Sequence, residues 1–195
     1  MILLIIVLTS FAFSVIINKG LSGIKNKEIN GFSFVIIGFI IQILIFNEKF
    51  ANSSYKNYTP FLYVVSLFII FAFMIMNFKR YLGIKIMSLG FILNILVIVA
   101  NGGFMPQQID LLIKSGQLEK VKMLKTYGHF YNAILMNEHT HLNMLGDRIL
   151  LSLFGKFKTV YSIGDIIIMV GVAIFIYELF KKPAEKTKSA GHIKA

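Results

Sequence analysis

The chain has 195 residues, 56% of them hydrophobic, no cysteine and a formal net charge of +11. Only 15% are charged, against roughly 25% in an average soluble domain, so polar side chains are too few to cover a water-facing surface, and thiol and disulfide chemistry are excluded. Lys and Arg fall in short groups at the ends of apolar runs rather than on one polar face, which is how topology charges are placed and argues against a nucleic-acid interface.

With a mean hydropathy of +0.75, the expected architecture is all-α: a polytopic transmembrane bundle of about five spans. The spans lie near 1–18, 30–47, 60–78, 83–100 and 162–180, within one domain over 1–180. A helix of about 20 residues crosses a hydrocarbon core of roughly 30 Å. The first run, Met1–Ile17, opens directly into Ile2–Leu8 with no basic stretch ahead of it. Asn18-Lys19-Gly20 behind it is a poor cleavage site, so a retained helix is expected. The second run, Phe32–Phe46, is short and spans only by recruiting Ile29–Gly31 or Asn47, or where the bilayer thins. Pro60–Phe78 and Gly83–Ala100 follow, and Ser162–Phe180 closes the set.

Orientation follows from the basic residues. Lys19, Lys25 and Lys27, then Lys79, Arg80 and Lys85, then Lys181, Lys182, Lys186, Lys188 and Lys194 of the tail over 181–195 define the cytoplasmic side. That puts the N-terminus outside and the C-terminus inside, with the short loop carrying Lys49 and Lys56 and the long loop 101–161 both external. Tyr55, Tyr58, Tyr63, Tyr81, Tyr161 and Tyr177 fall near span ends, as an interfacial belt does.

The loop opens with Asn101-Gly102-Gly103-Phe104-Met105-Pro106, where the glycine pair allows a sharp exit from the fourth helix. Residues 107–125 are predicted as one or two short helices broken near Gly116. Ile109, Leu112, Ile113, Leu118, Val121 and Leu124 form an apolar stripe suited either to the outer membrane surface or to the top of the bundle.

Polar groups within apolar runs are costly and should face the bundle interior. Gln42, Asn94 and Asp165 all fall in the outer half or at the outer edge, and Gly90, Asn94 and Asn101 share a helix face. A ligand pocket opening outward beneath the loop is one reading, with Gln42, Asn94, Asn101, Asp147 and Asp165 as its candidates. Interhelical hydrogen bonding of Gln42 and Asn94 is the plainer alternative. For Asp165 the alternative is a capping box, since Ser162 stands three residues ahead. Ser10 and Ser14 form a small-xxx-small pair suited to helix packing. Arg148 either pairs with Asp147 or is solvated. Glu138-His139-Thr140-His141 is the nearest approach to a metal set, but lacks any established ligand spacing, so His139 and His141 are weak candidates and no metal or cofactor is expected.

Three motifs, Asn101-Gly102-Gly103-Phe104-Met105-Pro106, Leu145-Gly146-Asp147 and Tyr161-Ser162-Ile163-Gly164-Asp165, resemble in order and spacing the bacterial multi-pass membrane proteins catalogued as domain of unknown function 5317. The chain departs from that pattern after Asp147, where Arg148-Ile149-Leu150 stands in place of an isoleucine-proline pair. The resemblance implies a bacterial cell membrane and no reaction. It marks Asn101, Gly102, Gly103, Met105, Pro106, Gly146, Asp147, Ser162, Gly164 and Asp165 as family-like positions.

The expected function is therefore non-enzymatic: binding of a small solute, a lipid headgroup or a partner helix at the outer face. Alternatives are a subunit or assembly factor of a membrane complex, partnered by another membrane protein or by a second copy, and, behind it, a membrane enzyme using Asp147, Asp165 or a histidine-bound metal.

Overall fold

A computed structural model describes residues 2–18, 20, 23, 24, 27–153, 155 and 157–181. Lys19, Lys25, Lys182, Lys186, Lys188 and Lys194 of the expected cytoplasmic turn and tail lie outside the described residues.

Each apolar run forms a helix: α1 (Ile2–Ile17), α2 (Phe32–Ile45), then after a single-turn α3 (Glu48–Ala51), α4 (Thr59–Asn77) and α5 (Leu82–Ala100). Pro60 sits in the first turn of α4, where its missing N–H costs nothing. The helical segments Lys56–Asn77, Leu82–Ala100 and Ile163–Phe180 are long and apolar enough to cross a membrane. α1 with 16 residues and α2 with 14 are shorter. α2 recruits neither Ile29–Gly31 nor Asn47, because Gly31 turns left-handed at φ 67° before it and Asn47 instead caps α3 through the Lys49 N–H. Fourteen residues rise only about 21 Å.

Around the bundle the neighbours run α2, α4, α5, α8, α1, and the most extensive packing is that of α5 on the final helix α8 (Ile163–Phe180). Glycines make this close approach. A Cβ on Gly90 would strike the Gly164 backbone, and one on Gly171 the Gly83 backbone. The two pairs are seven residues apart on each helix, so they recur on one antiparallel face. α2 packs on α4 with Gln42 Nε2 donating to Ser66 Oγ at 3.0 Å. Large apolar side chains such as Leu8, Phe13, Ile43 and Ile75 stand well exposed on the outer helix faces. Water would penalise that surface and hydrocarbon would not.

The strands depart from the all-α expectation. The mostly helical chain folds residues 101–161 into a cap of mixed structure: β1 (Met105–Gln107), α6 (Ile109–Lys114), α7 (Leu118–Tyr127), β2 (His129–Phe130), β3 (Ala133–Leu135), β4 (Ile149–Leu153) and β5 (Phe157–Tyr161). β3 lies between β1, which it pairs in parallel, and the antiparallel β2, while β4 and β5 form a separate antiparallel pair. Two- and three-residue strands leave too little alternation to be read from sequence. The helix break falls at Gly116, φ 80°, as expected. The cap has its own apolar core of Leu112, Val121, Leu124, Ala133 and Val160, whereas Ile113 and Leu118 of the expected stripe stay exposed.

Two of the expected belt tyrosines are buried instead. The Tyr63 hydroxyl accepts from Asn132 Nδ2 at 3.1 Å, tying the cap to α4, and Tyr81 donates to the Glu28 carbonyl at 2.9 Å. Tyr55 and Tyr58 are exposed.

Candidate functional site

The first two motifs, well separated in sequence, meet in space at the cap end of α5. Asn101 follows the last turn of α5, where its Nδ2 donates to the Val97 carbonyl at 2.8 Å and to the His141 carbonyl at 2.9 Å, while its Oδ1 accepts the His141 N–H at 2.8 Å. One side chain thus ends a helix and holds a distant loop. Gly103 then turns at φ 97° where a Cβ would collide with Pro60, a position that both the backbone angle and the space reserve for glycine. Met105, Pro106 and Gln107 follow as a fully buried strand.

Asp147 docks on that strand as a further parallel partner. Its N–H donates to the Pro106 carbonyl at 2.9 Å and its carbonyl accepts the Gln108 N–H at 3.1 Å. The next residue, Arg148, donates its N–H to the Tyr161 carbonyl at 3.1 Å, which carries the connection into the third motif. All three motifs therefore join one backbone node.

Between the side chains, Gln107 Nε2 donates to Asp147 Oδ2. Both residues are 7% exposed, and two of their oxygens, Gln107 Oε1 and Asp147 Oδ1, are buried with no hydrogen-bond partner among the described residues. Burial, reinforced by the charge of Asp165, pushes the Asp147 carboxyl up from 3.8 to about 7, against the Gln107 hydrogen bond and the Lys120 charge, which pull it down. Burial likewise lowers the Lys120 ammonium on α7, with Asp147 opposing. A proton on Asp147 Oδ1 would be the donor that Gln107 Oε1 lacks, completing the reciprocal pairing of a carboxylic acid with a carboxamide.

At the start of α8 the capping box forms as the sequence indicates: Ser162 Oγ accepts the Asp165 N–H at 2.9 Å and Asp165 Oδ2 the Ser162 N–H at 3.1 Å. Asn94 of α5 completes it, donating to Asp165 Oδ1 at 2.7 Å and accepting from Ser162 Oγ at 2.8 Å. Gly164 admits it, since a Cβ there would collide with the Asn94 amide. Both carboxylate oxygens of Asp165 are thereby taken.

The structure thus joins Asn94 to Asp165, Asn101 to the His141 backbone and Asp147 to Gln107. Gln42 belongs to the separate α2–α4 contact. His139 is exposed and sits 3.6 Å from the exposed Glu138 carboxylate, and among the described residues no three His, Asp or Glu side chains gather as a metal set would. Arg148 makes no ion pair among the described residues and reaches Met144 Sδ instead. Gln107, Lys120 and Asn132 escape sequence reasoning, and so does the inward role of Tyr63, expected only in the interfacial belt. The available signal was Gln107 itself, a polar residue directly after the buried Met105-Pro106 pair.

Among the described residues the mostly helical chain holds three helices long and apolar enough to cross a membrane, with lipid-suited outer faces and a folded cap, the features of a membrane protein. Residues 26–177 match the model of the family of unknown function DUF5317, and the chain belongs to that family. No curated protein and no solved structure matches it.

Proposed function

We propose that this is a non-enzymatic, five-span protein of the bacterial cell membrane, whose extracytoplasmic cap covers a polar site that takes a small solute bearing hydrogen-bond donors. The observation that carries the reading is the pair of buried, unpartnered oxygens on Gln107 and Asp147, because acceptors are rarely left unmet away from water. Asp147 alternates in this reading between a proton and the donor of a solute, so the site favours a cationic or polyhydroxy ligand above pH about 7, where the carboxyl ionises. The Asn94–Ser162–Asp165 set serves as the rigid floor, its groups already paired with one another.

The orientation rests on Lys27, Lys79, Arg80, Lys85 and Lys181, which occupy the end of the bundle away from the cap. α1 and α2 complete the five spans where the bilayer adapts to their length.

Thermal unfolding of the detergent-solubilised protein at pH 8, against ammonium, guanidinium and polyol solutes, tests the binding claim. A stabilising solute is expected whose effect disappears in Asp147→Asn. If no solute of either class shifts the wild-type protein beyond that variant, the reading fails.

A further inference from the structure

At the end of the bundle away from the cap, two grooves meet. One, of about 450 Å³, runs between α1 and α8, with Thr9, Phe13 and Ser14 on one wall and Ala173, Ile174 and Tyr177 on the other. The second, of about 310 Å³, lies at the surface among Lys27, Arg80, Glu178 and Lys181. Ile174 and Tyr177 line both, so an apolar channel between two helices opens into a charged rim.

The rim carries three cations against one carboxylate. That carboxylate is engaged elsewhere: Glu178 Oε1 and Oε2 accept the N–H groups of Leu82 and Gly83 at 2.9 Å each, capping the start of α5 from across the interface. Arg80 also holds the exposed Glu28 carboxylate at 3.0 Å. Lys27 and Lys181 make no ion pair with any described residue. Along the groove, Ser14 Oγ is fully buried and has no hydrogen-bond partner among the described residues.

The geometry points to a specific site for an anionic diacyl phospholipid, its phosphate between Lys27 and Lys181 and one acyl chain along the α1–α8 groove. Positive charge at a membrane surface attracts anionic headgroups. The apolar groove continuous with the rim separates a lipid from a soluble phosphate, which would fill only the rim. α1 touches the rest of the bundle mainly through α8, so a lipid in this seam would also fasten the first helix. The site is independent of Gln107 and Asp147, which lie at the opposite end.

Native mass spectrometry of the full-length protein, titrated with dioleoyl phosphatidylglycerol and dioleoyl phosphatidylcholine, tests this. Each lysine near the surface is worth about a fivefold factor for an anionic headgroup, so the combined Lys27→Gln and Lys181→Gln variant should bind phosphatidylglycerol roughly 25-fold more weakly, with a smaller loss for zwitterionic phosphatidylcholine. Both substitutions lie at the rim, so the variant remains folded. Ala173→Leu, which narrows the groove, should weaken both lipids. Equal binding of the two lipids by the wild-type chain would overturn the site, as would unaltered phosphatidylglycerol binding in the double lysine variant. Competition by glycerol phosphate as strong as that by the intact lipid, with Ala173→Leu silent, would reassign the rim to soluble anions and reject the lipid.

Discussion

Asp147 shows how one proton can decide whether a buried pair is satisfied. As a carboxylate it leaves both its Oδ1 and the Gln107 Oε1 buried without a donor among the described residues, while as an acid it offers the donor that the amide oxygen lacks. A carboxyl raised from 3.8 to about 7 binds its proton more tightly folded than unfolded. Its stabilising contribution is therefore complete below the unfolded value near 4 and is lost as pH rises towards 7. The slope in that window is at most about 1.4 kcal/mol per pH unit. Asparagine imitates the neutral acid, its amide donating to Gln107 Oε1 and accepting from Nε2. Asp147→Asn should then flatten the dependence between pH 4 and 7 and raise the melting temperature at pH 8, which calorimetry in detergent would read. A variant that melts lower than wild type at pH 8 contradicts the pairing. Asn77 poses a simpler case. Fully buried at the end of α4, it accepts the Asn30 N–H at 3.0 Å and donates to the Asn30 and Phe73 carbonyls at 2.8 Å each. Asn77→Ala would strand the backbone of Asn30 and cost about 1–3 kcal/mol in chemical denaturation.

At the level of elements, the decisive contact is the antiparallel pair α5 and α8. Small residues allow such helices to approach within hydrogen-bonding reach, and Asn94 uses that approach to join the capping box at the far end. Adding one methyl at Gly90 would press on the Gly164 carbonyl, so Gly90→Ala should destabilise by about 1–3 kcal/mol. Gly102 and Gly103 offer a paired comparison. Both have positive φ, but only Gly103 abuts Pro60. Gly103→Ala should therefore lower the melting temperature more than Gly102→Ala, and the reverse order would mean the turn is not held by α4. The capping box was legible at this scale because its residues are three apart. The Asn94 partner was not, since residue spacing carries no information on which helices become neighbours.

For the whole molecule, each of the five apolar runs forms a helix, and Lys27, Lys79, Arg80, Lys85 and Lys181 stand at one end of the bundle. The absence of cysteine makes topology directly measurable with single introduced thiols. Under the five-span reading, His139→Cys should react with a membrane-impermeant maleimide on intact cells, and Lys79→Cys only after permeabilisation. Labelling of both in intact cells would dismiss the arrangement. The buried tyrosines mark the boundary of what placement at span ends can reveal, because a tyrosine one turn inside a helix end serves a lipid interface or a cap equally well. Tyr63 turned inward because Asn132 came to meet it.

Hydropathy alone determined that the chain is mostly helical, with helices long and apolar enough to cross a membrane, because the apolar character of a long run is a property of the run. Short motifs likewise announced the helix cap at Ser162 and the turn at Gly102-Gly103. Only the tertiary structure decided that Asp147 lies against Gln107, that Asn101 holds His141, and that the loop is a folded cap with its own core. Those facts depend on strands two to five residues long whose pairing is settled by distant partners, and no local pattern encodes a partner.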